Sequence, residues 1–355
     1  MSGDILVFWW DARTRAGPSA GGIPWTRLSD PPINDHTPGG LRLRRWLDCR
    51  IVDPISGREV AFRTNQFGFR GPIVRPKAPG ECRILVLGDS ITLSSYTAEA
   101  ESYPAQLERI LSGEGRLVTV INAGMRGASL REELLILTES GLFTQPDVVV
   151  VGLFLNDANR SRMVPLPEGL FAYSAIARRL REASLRNEMS ADARARYEKY
   201  AGRPFPPGTY DDGVWRSDRA AFEVLVAEAA VDWGFAWFEA AWQEMRPDLE
   251  IMRALSKEHG FRLVVALFPV TYQVEVKFLE DAPQRMFVQV MEETGIEYLD
   301  LLPALREAYQ GADRSLAYDH CHLTPEGSGV AATALARLLG PTLDCAAATT
   351  MSDRQ

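Results

Sequence analysis

A short apolar run that ends at a glycine and a serine is the feature that most constrains how this chain folds. Residues 84–87 are branched and apolar, and Gly88, Asp89 and Ser90 follow them directly. Such a run is typical of a central parallel strand that is covered on both faces. Gly88 permits a sharp turn, and the pattern after Ser90 becomes helical. The sequence therefore predicts a hydroxyl where a strand meets the positive end of a helix.

Ser90 has two interpretations, because a serine at such a junction can cap the helix or act as a nucleophile. Near the end of the chain, Asp319 and His322 are three positions apart, so they can touch on a turn. An imidazole must remove the proton of a nucleophilic serine, and a carboxylate fixes the tautomer of that imidazole. This combination favours the nucleophile. His320 is the competing base, but its adjacency to Asp319 gives poorer geometry, so we prefer His322.

Two further strands predict hydrogen-bond donors at the same edge of the sheet. The buried run at residues 148–153 leads to Asn156, whose side-chain amide is a donor, and Asp157 is expected to anchor the loop. The run at residues 118–121 leads to Gly124, whose backbone N–H is not obstructed by a side chain. Donors of this kind, aimed at one point, stabilise the oxyanion of a tetrahedral intermediate.

These four stretches, in this order, resemble the sequence blocks of the SGNH (GDSL) hydrolase superfamily. The similar positions are Gly88-Asp89-Ser90 for the first block, Gly124 for the second, Asn156-Asp157 for the third, and Asp319 with His322 for the last. The resemblance covers about residues 82–160 and 250–340. It implies a three-layer α/β/α sandwich with a central parallel sheet. It also implies a triad of Ser90, His322 and Asp319, with an oxyanion hole from the N–H groups of Ser90 and Gly124 and the side chain of Asn156.

The resemblance implies a serine hydrolase that cleaves an ester through an acyl-enzyme. We expect an O-acetyl or other short acyl ester of a sugar or small molecule as substrate. An acyltransferase that passes the acyl group to an alcohol or amine is the alternative, and a non-catalytic binding protein is a third interpretation. Phe154 stands where the family usually has glycine, so it is a candidate substrate contact that narrows the pocket. Trp233 and Trp237 have the spacing of a helix face; packing on the sheet is preferred, but Trp237 is a candidate wall for the substrate.

Composition and pattern divide the chain into three regions. Residues 1–80 are rich in proline and glycine, which predicts an extension of loops with short strands around a turn at 54–57. Residues 81–345 alternate strands with helices, including one near 247–259, which predicts a parallel sheet. Within this catalytic domain, residues 160–245 indicate a helical insertion. Residues 346–355 form a small, polar tail that we expect to be flexible.

The extension carries a further motif at residues 65–72, Asn-Gln-Phe-Gly-Phe-Arg-Gly-Pro. An element of this kind precedes the first block in many bacterial members of the superfamily. Phe67 and Phe69 are expected to pack against the core. We expect Arg70 to be a surface arginine, and the alternative is a grip on an anionic substrate.

The net charge and the first residues of the chain indicate which partners and which cellular compartment to expect. The formal net charge of −8 argues against nucleic acid, because phosphate binding calls for a basic surface. No apolar run is long enough to span a membrane. The first residues lack a basic leader, which predicts a cytoplasmic protein. The sequence does not indicate an oligomeric state.

Cofactor and metal sites are not predicted. Residues 124–127 do not form a dinucleotide fingerprint, and we find no phosphate-binding loop in the sequence. The four cysteines show no paired spacing, so reduced thiols are expected; they are Cys49, Cys82, Cys321 and Cys345. The triplet of residues 320–322, His-Cys-His, offers a weak metal interpretation, since adjacent side chains point in different directions.

Overall fold

The computed structural model describes residues 34–37, 40–52, 59–95, 97–113, 115–157, 213–230, 232–310 and 315–343. Most of the predicted insertion, the start of the extension and the whole tail lie outside the described residues. The division of the chain into an extension, a catalytic domain and a tail therefore stays a prediction.

Two antiparallel hairpins precede the central sheet. Strand β1 (Asn34–Thr37) pairs with β2 (Gly40–Leu43), and β3 (Asp48–Val52) pairs with β4 (Glu59–Arg63). The last two strands lie on either side of the predicted turn at residues 54–57. The short strands expected there are confirmed.

A parallel sheet forms the centre of the described structure. Its strands are β5 (Cys82–Gly88), β6 (Val118–Asn122), β7 (Val148–Phe154), β8 (Arg262–Phe268) and β9 (Glu297–Asp300). They lie in the order β6-β5-β7-β8-β9, and every neighbouring pair is parallel. Every residue of β5 and β7 is buried, which explains the apolar runs at residues 84–87 and 148–151.

Helices connect these strands and cover the sheet. They are α1 (Ser90–Leu93), α2 (Tyr103–Ser112), α3 (Leu130–Ile136), α4 (Arg219–Glu228), α5 (Glu239–His259), α6 (Thr271–Glu275), α7 (Ala282–Thr294), α8 (Leu302–Gln310) and α9 (Pro325–Leu339). Helices α3, α5 and α7 pack in one row, and α2, α9 and α8 pack in another. The predicted three-layer α/β/α architecture is confirmed. Among the described helices, none has the length and apolar character that crossing a membrane requires.

Two predictions about helices are wrong in detail. Helix α5 begins at Glu239 rather than near residue 247, because Pro247 lies inside the helix instead of at its start. Trp233 and Trp237 do not share an α-helix face, since they lie at the two ends of a short 3-10 turn. That turn connects α4 to α5.

The thiol prediction is wrong at Cys82. Cys82 is disulfide-bonded, whereas Cys49 and Cys321 are free thiols. A disulfide joins residues that the fold brings together, so spacing along the sequence does not reveal it. Because disulfides are typical of oxidising compartments, the thiol state does not support a cytoplasmic location, which stays a prediction.

Candidate active site

The turn between β5 and α1 leaves the hydroxyl of Ser90 available. Gly88 has φ of 152°, and a Cβ there would collide with the Thr92 side chain and lie 2.9 Å from the Gly152 carbonyl oxygen. Asp89 is the N-cap, and its Oδ1 accepts a hydrogen bond of 2.8 Å from the N–H of Ile91. Asp89 therefore caps the helix, and the capping role considered for Ser90 is wrong.

The structure places Ser90, His322 and Asp319 in one hydrogen-bonded chain. The Oγ of Ser90 lies 2.9 Å from Nε2 of His322, and Nδ1 of the same ring lies 2.7 Å from Oδ2 of Asp319. The serine comes from the carboxyl end of β5, and the other two residues come from the loop before α9. Such a chain can move a proton from the hydroxyl to the ring.

The loop that carries the acid and the imidazole is closed by its own backbone. Oδ1 of Asp319 accepts hydrogen bonds from the N–H groups of Cys321 and His322, at 2.9 and 2.8 Å. The N–H of Tyr318 donates to the carbonyl of His322 at 2.7 Å. Burial acts to raise the pKa of Asp319, but its hydrogen bonds with His322 and the backbone lower that pKa overall. Asp319 is therefore an ionised, fixed carboxylate at neutral pH.

Gly124 does not offer a free donor. Its N–H donates to Oδ1 of Asn122 at 3.0 Å, and Nδ2 of Asn122 donates to the carbonyl of Thr92 at 2.8 Å. A Cβ on Gly124 would collide with the N of Leu93 and lie 2.7 Å from the carbonyl carbon of Thr92. Gly124 is therefore required for close packing against α1. Its N–H is thus bonded to a side chain of the same loop, and its place in the oxyanion hole stays a prediction.

Asn156 lies at the edge of the sheet that Ser90 occupies. Strands β5 and β7 are neighbours, and Gly88 pairs with Gly152 in their register. The turn that holds Asn156 is closed by Asp157, whose Oδ2 accepts from the N–H of Phe154 at 2.6 Å. Asp157 anchors this loop, as the sequence predicts. Asn156 itself is partly exposed.

The two candidate substrate contacts have different outcomes. Phe154 is completely buried at the end of β7, with its ring centroid 6.5 Å from that of His320. It exposes no surface to a substrate, so the prediction of direct contact is wrong. Trp237 is partly exposed, its ring centroid lies 5.5 Å from that of Trp233, and its Nε1 donates to Glu280 at 3.2 Å. Its role in substrate binding stays a prediction.

The family is decided by a match that begins inside β5 and ends just before β8. Residues 86–261 match the GDSL-like Lipase/Acylhydrolase family. This protein carries a GDSL-like hydrolase domain. The resemblance to SGNH (GDSL) hydrolases is thereby confirmed, and the protein is a hydrolase that acts on ester bonds. A comparison with curated protein sequences gives no significant match.

The GDSL-like domain is also similar to solved structures at low sequence identity. An alpha/beta hydrolase enzyme from the metagenome of Lake Arreo is 16% identical, with a TM-score of 0.44, over 74% of this chain and 97% of that chain. An acetylxylan esterase from Geobacillus stearothermophilus is 17% identical, with a TM-score of 0.43, over 75% and 97%. These values are too low to transfer a substrate, and no function is inferred from them.

Sequence reasoning missed two buried acids of the GDSL-like domain. Burial raises the pKa of Asp89 to about 6, against the opposing effect of its hydrogen bond from Ile91. Glu133, on α3, is completely buried, and burial followed by the charges of Asp157 and Asp89 raises its pKa well above the ordinary value. No signal indicates Glu133, because it follows Glu132, a capping residue, and reads as part of an exposed acidic first turn.

The loop before α9 also groups three side chains that carry metal-ligand atoms. Asp319, Cys321 and His322 offer ligand atoms within 4.8 Å of one another. However, Nδ1 of His322 is already hydrogen-bonded to Asp319, and burial with the Asp319 charge raises the pKa of the Cys321 thiol. Because thiolate is the form that binds metals, this environment suits a proton relay better than a metal centre.

Proposed function

We propose that this protein hydrolyses an O-acetyl or other short acyl ester of a sugar or small molecule, with Ser90, His322 and Asp319 as its triad. The observation that carries the proposal is the continuous hydrogen-bonded chain, with distances of 2.9 and 2.7 Å. Asp89 supports it by capping α1, because the Ser90 hydroxyl is then left to contact the imidazole.

Acylation begins when Ser90 Oγ attacks the ester carbonyl carbon and His322 Nε2 takes the hydroxyl proton. The carbonyl π electrons move to oxygen and form the oxyanion. When the tetrahedral intermediate collapses, the bond to the alcohol breaks and His322 gives that alcohol its proton. Asp319 holds the ring in place and stabilises the imidazolium throughout.

Deacylation repeats these steps with water. His322 takes a proton from the water molecule as its oxygen attacks the acyl-enzyme carbonyl. Collapse of the second intermediate breaks the bond to Ser90 and returns the proton from His322 to its Oγ. The products are the free acid and the alcohol, and the enzyme is restored.

The oxyanion hole is proposed to consist of the N–H groups of Ser90 and Gly124 and the side chain of Asn156. Support comes from the position of Ser90 and Asn156 beyond the carboxyl ends of neighbouring strands. Removal of one such donor typically lowers kcat by about 10²- to 10³-fold. The same loss is expected for Asn156→Ala, with little change in KM.

The alcohol portion of the substrate is proposed to lie against Tyr272. This residue is partly exposed on α6, and the preceding residue Thr271 donates its N–H to the carbonyl of His320 at 2.8 Å. The Tyr272 ring packs against Trp215 and Trp233, with centroids at 4.9 and 5.6 Å. A rigid aromatic face beside the catalytic loop suits a sugar ring or another flat apolar surface.

A panel of esters tests this function directly. Acyl chains of increasing length, on p-nitrophenol and on acetylated sugars, are assayed for released acid with wild type and Ser90→Ala. We expect fastest turnover with acetyl esters and almost none with Ser90→Ala. Acylated product in the presence of alcohol or amine acceptors would favour the acyltransferase, and undiminished turnover by Ser90→Ala would reject the triad.

A further inference from the structure

The helix that presents Ser90 is too short to hold its own position. Helix α1 has 4 residues, and isolated helical turns of this length are not stable. Its middle is fixed by Thr92, whose Oγ1 lies 2.7 Å from the buried hydroxyl of Tyr103. The carboxyl end of α1 needs donors from elsewhere, because the last carbonyl groups of a helix have no hydrogen-bond partner within it.

Arg70, from the segment before β5, supplies partners for these carbonyl groups. Its Nη1 donates to the carbonyl oxygens of Leu93 and Ser94, at 2.7 and 2.5 Å. Its Nη2 donates to the carbonyl of Thr97 at 2.7 Å. The guanidinium thus binds the end of α1 and the loop that follows. A cation also interacts favourably with the negative end of a helix.

Arg70 is buried, contrary to the expected surface position. Its exposed fraction is 3%, and its guanidinium lies over the ring of Phe62 at 5.3 Å. Burial lowers its pKa to about 10, partly offset by the charges of Glu99 and Glu101, so the group stays charged at neutral pH. Because its bonds go to backbone carbonyls, a grip on an anionic substrate is not supported.

The backbone around Arg70 is itself fixed. The side chain of Asn65 accepts from the N–H groups of Phe67 and Phe69, at 2.9 and 3.1 Å. The N–H of Arg70 donates to the carbonyl of Asn122, at the end of β6, at 3.0 Å. The motif therefore forms a rigid turn attached to the sheet.

The residue after α1 requires outside support. Ser94 has φ of 51° and ψ of 44°, a left-handed conformation that is unfavourable for a residue other than glycine. Such a conformation persists when its surroundings fix it. The bond from Arg70 to the Ser94 carbonyl is one such constraint.

We propose that Arg70 is a positioning residue that fixes the α1 turn and so keeps Ser90 Oγ within reach of His322. The proposal rests on the proposed function, in which Ser90 is the nucleophile. Loss of the guanidinium leaves the carbonyl groups of Leu93 and Ser94, at the end of α1, without this donor. The turn then shifts, and a displacement of about 1 Å can lower the rate about 10²-fold.

The expected result is a loss in kcat at nearly constant KM. Arg70→Met and Arg70→Lys should each lower kcat about 10- to 100-fold, since neither provides a guanidinium fork. In Arg70→Ala, added guanidinium should restore kcat with saturation, and ammonium at the same ionic strength should not. A fluorophosphonate should label Ser90 more slowly in all three variants than in wild type.

Arg83 provides a matched control. Its side chain is 4% exposed, pairs with Glu81, and donates to the carbonyl of Thr144 at 2.7 Å. It lies near the amino end of β5, whereas Ser90 follows the carboxyl end of that strand. Arg83→Met should lower the melting temperature without lowering kcat per folded molecule.

Equal kcat in wild type, Arg70→Met and Arg70→Lys would overturn the proposal. It would also be overturned if added guanidinium raised the melting temperature of Arg70→Ala without raising its kcat. If Arg70→Met does not fold, Arg70→Lys keeps a buried cation and provides the measurement. Failure of wild type to label at Ser90 would reject the proposed function itself, so the two failures are distinguishable.

Discussion

Individual residues at this site are defined by the bonds that their polar atoms make. Asp319 uses Oδ1 for two backbone N–H groups and Oδ2 for the ring of His322, so each oxygen has a separate task. The carboxylate therefore fixes the loop and the imidazole together. The bond to the ring sets its tautomer, which leaves Nε2 as the acceptor that faces Ser90.

Asp319→Asn tests this division of tasks. The amide keeps an oxygen for the backbone N–H groups, so the melting temperature should change little. Its NH2 group cannot accept a hydrogen bond from Nδ1–H of His322. The ring therefore adopts the wrong tautomer, and kcat should fall about 10³- to 10⁴-fold. Steady-state kinetics with p-nitrophenyl acetate measures the loss. A kcat within a few-fold of wild type would show that the acid does not orient the ring.

Asp300 should make folding stability depend on pH. Burial raises its pKa from 3.8 to about 6, although its side chain accepts from the N–H of Leu302 at 2.9 Å. A carboxyl whose folded pKa is raised favours folding below pH 3.8, and that contribution is lost as pH rises towards 6. Asp300→Asn keeps an acceptor and removes the titration.

The free energy of unfolding should therefore fall less between pH 4 and 6 in Asp300→Asn than in wild type, by about 2 kcal/mol. Denaturant titration at several pH values measures both curves. Parallel curves would show that Asp300 does not titrate in this range. Asp89 and Glu133 also have raised pKa values, so some slope should remain in the variant.

At the level of elements, the site depends on close contact between α1 and the loop after β6. Gly124→Ala should lower both stability and kcat, because the new methyl group collides with the backbone of Leu93 and pushes α1 away. Gly113→Ala is the control, since its Cβ would meet its nearest atom at an ordinary 3.4 Å. The melting temperature and kcat should both be lower in Gly124→Ala than in Gly113→Ala. Wild-type kcat in Gly124→Ala would contradict this account of the contact.

The sequence predicts elements better than it predicts atoms. Strands β5 and β7 are recognisable because a buried parallel strand needs apolar residues on both faces. The start of α5 is missed, because Pro247 is tolerated inside that helix and reads as a boundary. The hydrogen bond from the Gly124 N–H to the side chain of Asn122 is missed, because spacing along the sequence does not reveal it.

The site depends on the fold of the whole molecule, because it brings together parts of the chain that are distant in sequence. The serine, the histidine and the supporting Arg70 come from three separate stretches, joined by side-chain bonds across the sheet edge. The role of Arg70 was not predictable, because an arginine in a loop-rich segment reads as solvent-exposed. Only the fold shows that it binds carbonyl groups that follow Ser90.

The disulfide at Cys82 is expected to stabilise the whole fold. Native disulfides typically contribute about 2–4 kcal/mol, so a reductant should lower the melting temperature of wild type. Cys82→Ala should show a similar loss and no further response to reductant. Cys49→Ala removes a free thiol and should melt like wild type. If the melting temperature of wild type is the same with and without reductant, no stabilising disulfide is present in solution.

Mass spectrometry after reaction with a fluorophosphonate, followed by peptide mapping, tests directly whether Ser90 is the nucleophile that His322 activates. We expect one adduct on Ser90 in wild type, none in Ser90→Ala, and greatly slowed labelling in His322→Ala. An adduct on a different residue, or wild-type labelling rates in His322→Ala, would contradict it.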